Sequence, residues 1–160
     1  MTPETDSPEL RGVVQGEPLG RVVPLSQNDF TAISTAGYAF LEQGQWEESR
    51  NAFDALIQLC PKLPEGYAGR GAVAIKERKF TEAVEILSRA LKACALDARV
   101  CALLGEAILR LGQAKEAAEL FRSAAQLDPE KQNPVVNRAR AMLAAIEERE
   151  QQPAAAGTPK

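Results

Sequence analysis

An all-α fold, a short solenoid of stacked helix–turn–helix units, follows from three features of this 160-residue chain. Gly37, Gly71 and Gly105 are spaced 34 residues apart. Four other sets of residues keep that interval: Phe53, Leu87 and Phe121; Ser49, Ala83 and Ala117; Trp46, Phe80 and Ala114; Pro61, Ala95 and Pro129. A helix–turn–helix of this length cannot bury its apolar face alone and must stack on copies of itself. The third feature is composition. With 45% hydrophobic but 5% aromatic residues, the chain suits helix packing through Ala and Leu better than a β-sandwich.

Each element has its own local signature. Residues 1–29 hold Pro3, Pro8, Pro18 and Pro24 among scattered acids, so no helical period survives there. They read as a disordered N-terminal arm with two apolar patches, Val13–Val14 and Leu19 to Leu25. The arm is either a plain linker or a segment that folds back into the groove of the solenoid when no partner is present. Regular structure is expected from Phe30, with Asn28 and Asp29 as candidate N-caps. Three repeats follow, over 30–63, 64–97 and 98–131. Their helices are expected at about 30–43 and 46–59, 64–77 and 80–94, and 98–111 and 114–127.

Gly44 and Gly112 end the first helices of the outer repeats with a residue that tolerates positive φ, a job Arg78 does less well in the middle one. Pro61, Pro64 and Pro129 mark the joints between units. Asn133–Pro134 reads as an N-cap followed by proline at N1, opening a capping helix over 134–150. Val136, Ala139, Leu143 and Ile146 form one face of that helix, suited to closing the last repeat. Residues 151–160 read as a disordered tail.

Composition narrows the function classes. A formal charge of −3 and the lack of a Lys/Arg stripe give no electrostatic reason to bind nucleic acid. No apolar run approaches the roughly 20 residues needed to span a bilayer, so no membrane insertion is expected. The first residues have neither a basic nor an apolar signal segment, and a cytoplasmic location is expected. The chain lacks histidine, the commonest general base and transition-metal ligand. Cys60, Cys94 and Cys101 form no C-x-x-C and read as small buried hydrophobes. Glu47–Glu48 and Glu147–Glu148 read as solvated faces, and the glycines fall at helix contacts and turns rather than in a phosphate loop. No catalytic, cofactor-binding or metal-binding residue is assigned, no cofactor is expected, and the chain does not read as an enzyme.

The repeats resemble tetratricopeptide repeats, with the pattern W-x2-L-G-x2-Y, then A-x3-F, then P. The first reads Ile33, Ala36, Gly37, Phe40, then Ser49, Phe53, then Pro61. The second reads Tyr67, Arg70, Gly71, Ala74, then Ala83, Leu87, then Ala95. The third reads Cys101, Leu104, Gly105, Ile108, then Ala117, Phe121, then Pro129. Arg70 departs from the expected Leu, and is read as a stem with its head in water or against a nearby acid. The resemblance covers about residues 30–129 and implies a right-handed superhelix whose first helices line a concave groove.

It places Ser34, Tyr38 and Leu41, then Ala68, Ala72 and Ile75, then Arg99, Ala102, Glu106 and Leu109 on that groove. Relatives that grip an acidic C-terminus use a Lys/Asn/Arg clamp at positions held here by Ser34, Tyr38, Gly69, Ala72, Arg99 and Leu103. The clamp is effectively absent, and the expected ligand is a protein or peptide with hydrophobic anchors. The implied role is a scaffold or adaptor that binds a segment of a partner protein.

The alternative is a type III secretion chaperone that keeps a hydrophobic translocator client soluble and secretion-competent. The three repeats with one closing helix are similar to that group, as are the stretches Phe53–Leu56 and Ala141–Ile146. The group usually carries a helix ahead of the first repeat, where this chain has its proline-broken arm.

Overall fold

The structure is a computed structural model that describes residues 26–152. Most of the expected arm, and the tail from residue 153, lie outside the described residues. Those described form seven helices: α1 (Gln27–Glu42), α2 (Trp46–Leu59), α3 (Pro64–Lys76), α4 (Phe80–Ala93), α5 (Ala98–Arg110), α6 (Ala114–Leu127) and α7 (Pro134–Gln151). The chain divides into two compact units, one ending at Ala95 and one beginning at Leu96.

α2 and α6 span the expected residues, α3, α4 and α5 each end one residue sooner than expected, and the remaining differences lie in the first and last helices. α1 starts at Gln27, so residues 27–29 belong to a helix rather than to an arm. The N-cap is Ser26, not Asn28 or Asp29. The reason is a capping box: Asp29 N–H donates to Ser26 Oγ (3.3 Å), and Ser26 N–H donates back to Asp29 Oδ2 (2.7 Å). The Ser26 hydroxyl also donates to Asp29, and these hydrogen bonds hold its carboxyl below the usual carboxylate range. At the other end, Gln151 is still helical.

In the first unit α1 packs on α2, α2 on α3 and α3 on α4, and α1 also lies beside α3. The core is built on the repeat register. Phe53 and Leu87 are fully buried, and each fills the hollow left by a glycine. A Cβ added at Gly71 would stand 2.6 Å from Leu87, and one at Gly37 would stand 2.8 Å from Phe53. Glycine is therefore required here by close approach, as the pattern implied. Ser49 adds a polar fixture, since its buried hydroxyl donates to the Gly37 carbonyl at 2.8 Å.

In the second unit α5 packs on α6, and α7 lies against both. Phe121 is fully buried, and a Cβ at Gly105 would come within 2.6 Å of it. The register continues into α7, because Ala139 lies one further period beyond Gly105 and is fully buried. The closing helix thus docks as a first helix without a partner second helix. Val136 and Ile146 are buried with it, as expected, and Leu143 is half-buried. Arg140 ties α7 to the end of α6. Its guanidinium donates to the Ala125 carbonyl (3.1 Å), the Asp128 carbonyl and the Asp128 carboxylate (3.2 Å), supplying positive charge to a helix whose own last turn has no basic residue.

All three first helices end alike. Gln45 N–H reaches Phe40 O (2.9 Å), Lys79 reaches Ala74 (2.8 Å) and Gln113 reaches Ile108 (3.2 Å), while the preceding residue takes positive φ. That residue is Gly44 (φ 73°), Arg78 (φ 63°) and Gly112 (φ 88°). Arg78 carries the left-handed cost for a residue with a Cβ. Replacing it, as Arg78→Gly, should raise stability by about 0.5–1 kcal/mol, read as a higher urea midpoint at unchanged m-value.

The cysteines divide. Cys101 is buried, and burial pushes its thiol up from the ordinary range, which suits a core residue. Cys60 and Cys94 are only half-buried, contrary to the sequence expectation. Both follow the last turn of a second helix, where packing thins out; Cys94 Sγ lies 3.6 Å from the Pro61 carbonyl.

Candidate functional site

The groove residues expected from the sequence divide according to what their helices pack against. On α1, Ser34 is half-exposed. Tyr38 and Leu41 are partly buried and pack against the cluster of Phe53, Leu56 and Val73. The Tyr38 ring meets Phe53 edge-on, with centroids 4.9 Å apart. These two are wall and core at once, since a first helix stacked on two neighbours has little surface left over. On α3, Ala68 is fully buried, while Ala72 and Ile75 remain half-exposed.

On α5 the reading needs more correction. Ala102 is buried, and so is Glu106, only 7% exposed. The cause is α7: Arg138 Nη2 on that helix meets Glu106 Oε2 at 2.6 Å, with Arg110 Nη2 at 3.9 Å from the other oxygen. Glu106 is thus an internal counter-charge for the closing helix. Leu109 stays half-exposed. Arg99, the one basic residue left from the clamp pattern, folds back on its own helix cap, with Nη2 3.1 Å from Asp97 Oδ2. Gly69 and Leu103, two further clamp positions, are buried.

Arg70 pairs with acids rather than reaching water. Its Nε lies 3.2 Å from Asp54 Oδ1 on α2 and its Nη2 2.6 Å from Glu82 Oε1 on α4, with the side chain 12% exposed. Nη1 is buried without a hydrogen-bond partner. A guanidinium that leaves one nitrogen unsatisfied contributes little net stability, because desolvation offsets the pairing. Arg70→Met, which restores an apolar residue, should keep stability within about 1 kcal/mol of the wild type or raise it, as measured by thermal unfolding. The two acids keep access to water after the change, being 47% and 35% exposed.

Sequence reasoning missed the Glu106–Arg138 pair, although a faint signal existed. Arg138 stands one period beyond Leu104 and two beyond Arg70, so the register marks it as a first-helix position next to α5. Among the described residues no group of His, Cys, Asp and Glu is placed to hold a metal ion, and no helix is long and apolar enough to cross a membrane.

Comparison with known proteins agrees with this architecture. In solved structures the chain is similar to the type III secretion translocator chaperone SycD of Yersinia enterocolitica, at 19% identity and TM-score 0.68, over 79% of this chain and 98% of that one. It is similar to a chain of a T3SS complex from Aeromonas hydrophila, at 22% identity and TM-score 0.70, over 89% and 97%. It is also similar to PcrH, solved in complex with the chaperone binding region of PopD, at 24% identity and TM-score 0.65, over 79% and 96%. At these identities the likeness is one of fold. A search of the curated proteins by sequence finds no match. Two family models do match: TPR repeat over residues 37–76 and Tetratricopeptide repeat over residues 69–132, together more than half of the chain. With the glycine–aromatic register, the turn geometry and these matches in agreement, the chain belongs to the tetratricopeptide-repeat family.

Proposed function

We propose that the chain is a non-catalytic interaction module that holds an extended segment of a partner protein through hydrophobic anchors, as a scaffold or adaptor. The observation that carries this reading is what remains on the surface of the first helices. In the first unit Ala72 and Ile75 on α3 are half-exposed and apolar; in the second, Leu109 on α5 is half-exposed and apolar, and the one clamp arginine is paired with Asp97. Each of these surfaces rewards buried apolar area, at roughly 25 cal/mol per Å2, and offers little to an acidic terminus. A cytoplasmic location fits this role.

A second reading, a type III secretion chaperone for a hydrophobic translocator, is supported by the near-complete coverage of SycD and PcrH in the comparison. Identifying what co-purifies with the tagged chain separates the two. One stoichiometric partner with long hydrophobic segments, insoluble when expressed alone, makes the chain a secretion chaperone. Soluble, folded partners make it an adaptor.

The face itself is tested by substitution. Ile75→Glu and Leu109→Glu should each weaken partner binding tenfold or more while circular dichroism stays helical. Leu41→Glu is a poorer probe, because Leu41 packs against the Phe53 cluster. Unchanged affinity in both variants would remove the proposed site.

A further inference from the structure

We infer that residues 17–25 of the chain itself lie along the α1–α3 face of the first unit when no partner is bound, so that the site is self-occluded. This rests on the reading of that face as the binding surface. The arm is tied to one end of the face, because Ser26, the residue after it, is the N-cap of α1. α2 reverses the chain between two short turns, so α1 and α3 run parallel and their C-terminal ends lie together.

Chain chemistry and length both fit. In an extended run, alternate residues share a side, which aligns Leu19, Val23 and Leu25 with Arg21 among them. Pro18 and Pro24 favour an extended path and need no partner for an N–H. From Leu25 back to Glu17, such a run covers about 26 Å at roughly 3.3 Å per residue. α1 has 16 residues, which makes it about 24 Å long at a rise of roughly 1.5 Å per residue. Glu17 therefore arrives level with the C-terminal ends of the two helices. Lys76 and Arg78 are exposed there; of the two acids nearby, Glu42 ends α1, and Glu77 caps α3 with its carboxylate already held by Lys79 (3.0 Å) and Arg50 (3.5 Å). Leu19 arrives near Ile75, the half-exposed apolar residue in the last turns of α3. Tethering supplies an effective concentration of order millimolar, so a weak contact suffices to fill the face.

The test uses a fluorescent synthetic peptide of residues 12–25 titrated into the full chain. The wild type should bind it about tenfold more weakly than a full-length variant carrying Leu19→Asp and Val23→Asp, whose own arm no longer competes. Adding Ile75→Glu to that variant should abolish the gain with helicity unchanged. Should Ile75→Glu lose helicity, Lys76→Glu at an exposed position takes its place, with a loss of about threefold. Equal affinity of the wild type and the arm variant would overturn the inference. So would a gain that survives both face substitutions, because the arm would then sit elsewhere. No binding of the arm peptide to any form also overturns it. The face as a partner site is judged separately, with a peptide unrelated to the arm.

Discussion

Phe53→Ala should cost about 3–5 kcal/mol, the usual range for deleting a fully buried phenylalanine whose surroundings cannot collapse. Its ring has no solvent exposure and is enclosed by Gly37 and Gly69, with Tyr38 edge-on. Two of those walls are helix backbones fixed by their own hydrogen bonds, so relaxation into the cavity is limited. Against a typical domain stability of about 5–15 kcal/mol, the loss approaches the whole. Trp46, the chain's one tryptophan, lies at the start of the same helix and reports on this unit by fluorescence. Trp46→Ala, at a site 37% exposed, serves as the contrast and should cost far less. If urea titrations followed by circular dichroism gave both variants similar losses, the glycine–aromatic register would not be what holds the unit together.

Gly69→Ala should also destabilise, although alanine is the better helix former by about 1 kcal/mol. A Cβ at Gly69 would fall 2.1, 2.2 and 2.4 Å from three atoms of the Phe53 ring, well inside contact distance. The ring has little room to swing away, since its tip also lies close to the Gly37 backbone, where an added Cβ would stand 2.8 Å from Cζ and 3.0 Å from Cε2. Overpacking of this kind costs roughly 1–3 kcal/mol, occasionally more, and here it outweighs the gain in propensity. The cause can be isolated. In a Phe53→Leu background the same substitution should cost less than half as much, because the clashing atoms are gone. Additive effects in the double mutant would locate the penalty elsewhere.

These two predictions also indicate how far the sequence was legible. The 34-residue register pointed to Phe53, Leu87 and Phe121 as core and to Gly37, Gly71 and Gly105 as contact points, because one physical constraint repeats three times. Turn positions 44, 78 and 112 were readable for the same reason, down to arginine taking the left-handed turn in the middle repeat. Gly69 was not, since it lies outside the register and its role depends on where the ring from α2 lands. The surface was harder still. A repeat pattern says which positions face the groove in general, not which are covered in this chain. Ala68 and Ala102 are buried, Tyr38 and Leu41 turn in against Phe53, and Glu106 is claimed by an arginine 32 residues away on the closing helix. Charge pairs of that sort are specified by tertiary placement, and single-chain periodicity carries no record of them. The N-cap was missed because Asn28 and Asp29 are themselves good caps, and only the reciprocal Ser26–Asp29 bonds decide between them.

The central claim, that the surviving apolar positions of the first helices hold an extended partner segment, is best tested by affinity. Peptides selected from a random library on the full chain would be titrated into the wild type and Ile75→Glu, with circular dichroism of both recorded alongside. The account predicts that selection favours peptides with spaced apolar residues, and that Ile75→Glu weakens them tenfold or more at unchanged helicity. Enrichment of acidic C-terminal peptides, or binding indifferent to Ile75→Glu, would contradict it.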